Sequence, residues 1–387
     1  MTATIASLRC EVLNVSTKTN WSFVAVQTSD GDRAWGEASL NAWEPMLHGA
    51  VELLGRQLAG LTLETAHSAI AASPYGPGGL VQATAISATQ QALLELTARA
   101  QGQPWHAPLG PLRRDRLPAY ANINRATAER TPAGFVATAR RAAAHGFKAF
   151  KAAPFDGVTP ATCASAEGRQ RTRHGIDCLL ALRDAIGPSA RLMVDCHWRF
   201  DEARALEVLQ ALAPARLHWF ECPLPETPVH WPALQRIHRA ARDQGVMLAA
   251  AETQIGCAGF QPLFDAGLYD VVMPDVKYCG GPWEMLRIAE RAQEAGVQFS
   301  PHNPTGPIAS LHTLNVAGVA PECDMVELQF DESPLFEALV PGLHPPLVDG
   351  NFAVPTQVGF RTEPQRQLLT MHPYQPVPSG VESLAAG

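Results

Sequence analysis

From Pro118 onward, short apolar segments recur, and from the second one on each ends in or near an ionisable residue. This pattern restricts the fold more than any other feature of the chain. The segments are YANIN (120–124), FKAFK (147–151), RLMVD (191–195), LHWFE (217–221), VMLAAAE (246–252), YDVVMPD (269–275), VQFSPH (297–302) and MVELQ (325–329). Amphipathic stretches lie between them, including TPAGFVATARRAAAHG, GIDCLLALRDAIG and GPWEMLRIAERAQEAG. Apolar strands alternating with helices predict a parallel sheet, and eight at this spacing predict that it closes into a barrel. Lys151 ends the second segment, Asp195 the third, Glu221 the fourth, Glu252 the fifth, Asp275 the sixth and His302 the seventh, and Glu327 lies near the end of the eighth. The gaps from Asp195 onward are 26, 31, 23, 27 and 25 residues, each about one strand–helix unit. Such residues converge at the C-terminal mouth of a barrel, where active sites form.

The 387 residues suit a barrel of about 250 residues plus a smaller unit. The first ~115 residues read as an α+β unit. It has a hairpin turn at Asp30-Gly31 and a helix over Val81–Ala100, stopped by Gly102 and Pro104. The formal net charge of −7 leaves no electrostatic footprint for nucleic acid or an anionic membrane. No stretch approaches the ~20 apolar residues that span a bilayer. The opening MTATIASLRCEVLNV has no basic leader before an apolar run, so a secretory leader is not expected. The eight cysteines include no CxxC pair and read as reduced thiols of a cytoplasmic protein, not as a zinc or iron–sulfur site.

Asp195, Glu221 and Glu252 fall on three consecutive strands. Charge at a buried strand end is costly unless paired or metal-bound, and three hard oxygen ligands with room for water and substrate suit Mg²⁺. A salt bridge is the plainer alternative for any one of them. Asp275 and His302 lie on the next two strands, where the carboxylate can fix the imidazole tautomer and raise its basicity. Such a His is a general base near neutral pH. His197, two residues past Asp195, shares its face in an extended segment and is placed as an acid opposite His302. Lys151 offsets the charge of a substrate carboxylate, or pairs with Glu327 or the metal carboxylates. Glu327 reads as a carboxylic acid kept neutral by its site, donating a hydrogen bond to that carboxylate. Lys148 reads as structural.

The segments GFKAFK, LMVDCHWRFD, WFECPLPET, AAAET, MPDVKYCGG and SPHNPTGPIA, with Glu327, span residues 146 to 330. In this order they resemble the enolase superfamily, and within it the mandelate racemase-like group. The helix SATQQALLELTARAQGQPWHAPLG resembles its capping domain. The resemblance implies a (β/α)7β TIM-like barrel over 117–350 beneath an α+β capping domain over 1–116. The segment 351–387 then packs back on the capping domain, and its end, VPSGVESLAAG, reads as loose. The resemblance also implies Mg²⁺ on Asp195, Glu221 and Glu252, a base dyad of Asp275 and His302, and Lys151 as the first Lys of a Lys-x-Lys pair. A small-molecule carboxylate substrate and a homo-oligomer follow from it.

The departures from the pattern narrow the chemistry. The second Lys of that pair falls at Ala153, so a second-strand base is absent. A sixth-strand Lys base would fall at Asp275; Lys277 lies two residues later and is not read as the base. His302 and His197 remain, and an acid at the Asp-x-His position resembles the galactonate dehydratase type. Dehydration of a sugar acid (aldonate or aldarate) to a 2-keto-3-deoxy acid is therefore expected. An epimerase, racemase or cycloisomerase on the same scaffold is the alternative. A zinc hydrolase would want several His ligands, and a non-catalytic binding protein would have lost part of this set. Substrate candidates are Asn20, Trp21, Asn41 and Trp43 in the loops 17–21 and 40–44, Asn122, Asn124 and Arg125 after the first barrel strand, and Trp198 and Arg199 beside His197.

Overall fold

The computed structural model describes residues 3–72, 78–358, 361 and 363–377. Its first unit is a three-stranded antiparallel sheet of β1 (Ile5–Ser16), β2 (Thr19–Thr28) and β3 (Arg33–Glu37). Gly31, at φ 89°, turns β2 into β3. Helices α1 (Glu44–Leu58), α2 (Leu63–Ala72) and α3 (Gly79–Ala100) cover it. Helix α3 lies so close to β3 that a side chain at Gly36 would collide with the Ala88 carbonyl.

The barrel follows as β4 (Arg116–Asn122), α4 (Pro132–Ala144), β5 (Ala149–Ala152), α5 (Ala166–Ile186), β6 (Arg191–Asp195), α6 (Glu202–Ala211), β7 (Trp219–Glu221), α7 (Trp231–Asp243), β8 (Met247–Ala250), α8 (Gly256–Asp265), β9 (Val271–Val272), α9 (Pro282–Glu294), β10 (Gln298–Phe299), α10 (Pro307–Val319) and β11 (Val326–Gln329). Strands β4 to β10 pair in parallel with their neighbours, and β11 pairs with β4. Between β10 and β11 the ring is completed by Asp324 N–H donating to Phe299 O (3.0 Å) and Ser300 Oγ donating to Met325 O (2.8 Å). The expected (β/α)7β architecture is thus what forms, and among the described residues no helix is long and apolar enough to cross a membrane. After β11 come α11 (Leu335–Leu339), β12 (Asn351–Ala353) and α12 (Arg366–Met371).

Alternation along the strands sorts the side chains. Leu192 and Val194, Phe220, and Leu248 and Ala250 face outward into the strand–helix core. Tyr120, Ala149, Met193, Trp219, Ala249, Val271, Met273 and Met325 fill the barrel interior. Tyr120 and Trp219 meet edge to face at 5.4 Å. This packed floor lifts the next inward residues, Lys151, Asp195 and Glu221, to the mouth.

The chain past 350 divides between the two units. Strand β12 pairs antiparallel with the barrel strand β4. Leu368 and Leu369 pack against the capping-sheet cluster of Leu13 and Trp21, and Asn14 N–H donates to His372 O (2.9 Å). Of the terminal VPSGVESLAAG, everything past Val377 lies outside the described residues.

The capping domain also holds the barrel. Glu37, fully buried, accepts from Gly306 N–H (2.8 Å) and Ala309 N–H (2.9 Å) at the start of α10, where a carboxylate meets unpaired backbone donors and the helix dipole. Gly280 N–H donates to Ser87 Oγ of α3 (2.9 Å). Gln91 of α3 donates to Val276 O (3.3 Å). The MPDVKYCGG loop is thereby pinned under α3.

Candidate active site

Four predicted residues lie in strands: Lys151 in β5, Asp195 and Glu221 paired across β6 and β7, and Glu327 in β11. Glu252, Asp275 and His302 sit two to three residues beyond β8, β9 and β10. Those strands are shorter than their apolar segments because the chain leaves the ladder to aim these side chains at the mouth.

Asp195, Glu221 and Glu252 are buried, and one carboxylate oxygen from each lies within 4.8 Å of the others. Trp219 Nε1 donates to Glu221 Oε2 (2.8 Å) and Lys151 Nζ to Glu221 Oε1 (2.7 Å). Glu252 Oε2 is buried with no hydrogen bond, and His302 Nε2 stands 3.5 Å from it. Converging carboxylates with an unpartnered buried oxygen fit a hard divalent cation such as Mg²⁺. Burial, with Asp195 alongside, pushes the Glu252 carboxyl up to about 8. Burial likewise raises Glu221 well above the usual carboxylate range. Burial opposes the Asp195 charge, but His197 and Lys151 hold that carboxyl low.

A testable consequence concerns protons. In the metal-free protein Glu252 keeps its proton at neutral pH, whereas a divalent cation takes the ionised form. Mg²⁺ binding at pH 7 should release protons, from Glu252 and from Glu221, and tighten toward pH 8. Metal-free stability runs the other way, because the folded pKa lies above the unfolded one. The contribution is complete below about pH 4.5 and is lost as the pH rises through about 8. Calorimetric Mg²⁺ titration in two buffers of different ionisation enthalpy counts the protons, and no release at pH 7 would contradict this.

His302 Nδ1 and Asp275 Oδ2 are 2.7 Å apart. The same oxygen accepts from Lys277 Nζ (2.6 Å), while Lys277 N–H donates to Asp275 Oδ1 (2.8 Å). Burial opposes the Asp275 charge, but Lys277 and His302 keep its carboxyl below the usual range. Lys277, set aside as a base on its position in the sequence, is here the cation paired with Asp275, a pairing its Asp-x-Lys spacing allows.

His197 reaches Asp195 by a different route from the expected one. The segment is not extended there: His197 has φ 47° and Trp198 φ 56°. This left-handed turn curls the imidazole back, so that His197 Nε2 lies 2.8 Å from Asp195 Oδ2 and its backbone N–H donates to Asp195 Oδ1 (2.8 Å).

Lys151 also contacts Glu327 Oε1 (2.8 Å). Burial opposes the Lys151 charge, but Glu221 and Glu327 hold its pKa well above the ordinary value. Glu327 further accepts from Asn122 Nδ2 (2.8 Å) and Asn303 N–H (2.8 Å). Burial disfavours its charge, yet Lys151, His302 and these donors keep its carboxyl below the usual range. Expected from the sequence as a neutral, proton-donating acid, Glu327 faces three donors here, Lys151, Asn122 and Asn303, which favour its ionised, accepting form.

The substrate candidates are mostly engaged by protein. Asn20 is buried, donates to Glu44 Oε1 (2.9 Å) and Gln375 O (2.8 Å) and accepts from Asn14 (2.9 Å). Trp21 lies in the capping core against Phe336 and lines a cavity of ≈ 90 Å³ with Thr305, Gln329 and Glu332. Trp43 is half-buried at the start of α1. Asn41 accepts from Asn20 N–H (3.0 Å) and Asn124 from Arg130 (2.7 Å). Arg125 donates to Pro304 O (2.9 Å) and Glu332 Oε2 (3.0 Å), and Thr19 donates to Glu332 Oε1. Arg199 donates to Phe155 O (2.6 Å). Of these, Asn122 is the one tied directly to the carboxylate cluster, through Glu327.

A (β/α)7β barrel with three carboxylates at the ends of its third to fifth strands and a His–Asp dyad on the next two defines a class of metal-assisted lyases and isomerases. A family model described as enolase C-terminal domain-like matches residues 134–368. The chain belongs to this family. A D-galactonate dehydratase of Variovorax paradoxus is 28% identical over 304 residues, covering 78% of this chain and 76% of that protein. A D-gluconate dehydratase of Thermoproteus tenax is 28% identical over 302 residues, covering 78% of this chain and 59% of that protein. A structure described as a mandelate racemase/muconate lactonizing enzyme from Jannaschia sp. CCS1 shares the fold. Its TM-score is 0.85 at 24% identity, over 98% of this chain and 100% of that one. A mandelate racemase/muconate lactonizing enzyme-like protein from Roseovarius sp. TM1035 gives 0.84 at 23%, over 97% and 96%.

Proposed function

We propose that the protein is a Mg²⁺-dependent dehydratase of a sugar acid. The observation that carries this reading is the pair of imidazoles on opposite flanks of the carboxylate trio, His302 beside Glu252 and His197 on Asp195. His302, with Nδ1 engaged by Asp275, takes the proton from the carbon next to the substrate carboxylate. The electron pair of that C–H bond moves onto the substrate carboxylate as an enolate, and then returns to form the new C=C bond as the β-carbon–oxygen bond breaks. His197 protonates the departing hydroxyl, so water leaves. The enol then tautomerises to a 2-keto-3-deoxy acid. Bound at Asp195, Glu221 and Glu252, Mg²⁺ supplies positive charge for the developing enolate. Lys151 adds a fixed, buried cation to the same region. The dehydratase names of the relatives support the reading, as does Ala153 in place of a second-strand base.

The test is a screen of four- to six-carbon aldonic and aldaric acids with Mg²⁺, scored for 2-keto acid. His197→Asn should lose dehydration while His302-dependent exchange of the α-proton with solvent deuterium continues. If both persist at wild-type rates, His197 is not the acid. Epimerised substrate without keto acid would select the isomerase alternative.

A further inference from the structure

Backbone strain is concentrated behind the carboxylate trio. Eight non-glycine residues among those described adopt positive φ, and four of them adjoin the three carboxylates: His197 (47°), Trp198 (56°), Cys222 (45°) and Ala251 (83°). Such a conformation is strained for a residue with a side chain and persists only where its surroundings hold it.

One side chain reaches all three places. Glu226, five residues past Glu221, accepts at Oε1 from Trp198 Nε1 (3.0 Å), from the Ala251 backbone N–H (3.1 Å) and from the Cys222 thiol (3.7 Å). Its Oε2 accepts from Gln254 Nε2 (3.1 Å). Trp198 N–H donates to Cys222 O (2.6 Å), tying two of the turns directly. The Glu226 backbone carbonyl accepts from Trp231 Nε1 (3.1 Å), which anchors the loop that carries it. A carboxylate suits this position because every neighbour presents a donor, and hydrogen bonds to a charged acceptor are the stronger kind.

We infer that Glu226 is a positioning residue for the metal ligands. It clasps the left-handed turns beside Asp195, Glu221 and Glu252, so that the three carboxylates face one cation and His197 stays folded over Asp195. It touches neither metal nor substrate. The inference rests on the metal reading above.

The test is Mn²⁺ affinity, read from the electron paramagnetic resonance of free Mn²⁺, with Tm measured alongside. Partners around metal ligands usually contribute about 10–100-fold in affinity. Glu226 acts one step further out, so Glu226→Ala should weaken Mn²⁺ about 10-fold. Glu226→Gln keeps one acceptor oxygen, and the Gln254 amide can turn to accept its new donor, so a loss of about 3-fold is expected. Asp270→Asn is the control. Asp270 accepts from Leu248 N–H (2.9 Å) at the opposite end of β8, so its loss should lower Tm and leave Mn²⁺ affinity unchanged. A folded Glu226→Ala that binds Mn²⁺ like the wild type overturns the inference, as does Asp270→Asn weakening it equally. If Glu226→Ala does not fold, Trp198→Phe removes one donor alone; a loss of about 3-fold supports the role and no change overturns it. A wild-type protein with no affinity for Mn²⁺ sinks the metal reading and this one together, whereas tight binding by wild type and variants alike sinks this one alone.

Discussion

His302→Asn should lose dehydration by about 10³-fold or more while binding Mn²⁺ as the wild type does. A positioned general base contributes about 10²–10⁴-fold, and an α-proton beside a carboxylate is so weakly acidic that it leaves only to such a base working with nearby positive charge. The loss should fall on kcat and on solvent deuterium exchange together, because both need the same C–H bond broken. Metal binding should survive because His302 approaches Glu252 only at 3.5 Å, while Glu221 and Asp195 have other partners. The pocket should also stay folded: Asp275, which loses its imidazole, still accepts two hydrogen bonds from Lys277. Lys277→Met is then informative beside it. It removes the Nζ donor from Asp275 Oδ2 and should lower kcat without changing Mn²⁺ affinity. Wild-type deuterium exchange in His302→Asn would end the assignment of His302 as base.

The barrel and its mouth were legible because both follow from short-range rules. A period-two pattern puts Met193 and Asp195, or Trp219 and Glu221, on the inner face, and a repeat near one strand–helix unit brings successive strand ends together. Where the backbone leaves those regular paths, the sequence carried less. His197 was placed by an extended geometry that the left-handed turn replaces, although the curl delivers it to the same carboxylate. Glu327 reads as a neutral acid even with Lys151 as a candidate partner, because its further donors Asn122 and Asn303 come from segments that no spacing links to it. Neither Glu37 nor Glu226 is singled out by the sequence, although Glu226 lies inside WFECPLPET. Glu37 accepts from backbone N–H groups 269 and 272 residues away, and Glu226 accepts from one 25 residues away besides the side chains of Trp198, Cys222 and Gln254. Backbone donors are the same in every residue, so no spacing of residue types announces them. The capping-domain candidates fared differently again: Asn20 has the right chemistry for a polyol, but its amide is taken up holding the β1–β2 turn to Glu44 and Gln375.

Lys151→Met should lower the stability of the metal-free protein by about 3–5 kcal/mol, the usual consequence of removing one member of a buried ion pair. Lys151 is 1% exposed and is shared by two carboxylates, Glu221 and Glu327, that are themselves fully buried. Without it both are left with hydrogen bonds but no adjacent cation. Part of the loss should return in Lys151→Met/Glu327→Gln, which also removes the Glu327 charge. Divalent cations then separate two roles for this lysine. If Lys151 merely props up the fold, its removal should weaken Mn²⁺ binding along with everything else. If its main effect is charge, removing a cation 2.7 Å from Glu221 should tighten Mn²⁺ binding, since the metal no longer competes with it for the same carboxylate. Turnover should nevertheless fall by about 10²-fold or more, because the fixed positive charge facing the developing enolate is gone. Urea titrations with and without Mn²⁺, run beside a kcat measurement, resolve the three effects. A variant as stable as the wild type and fully active would show that the buried Lys151 charge matters to neither the fold nor the chemistry.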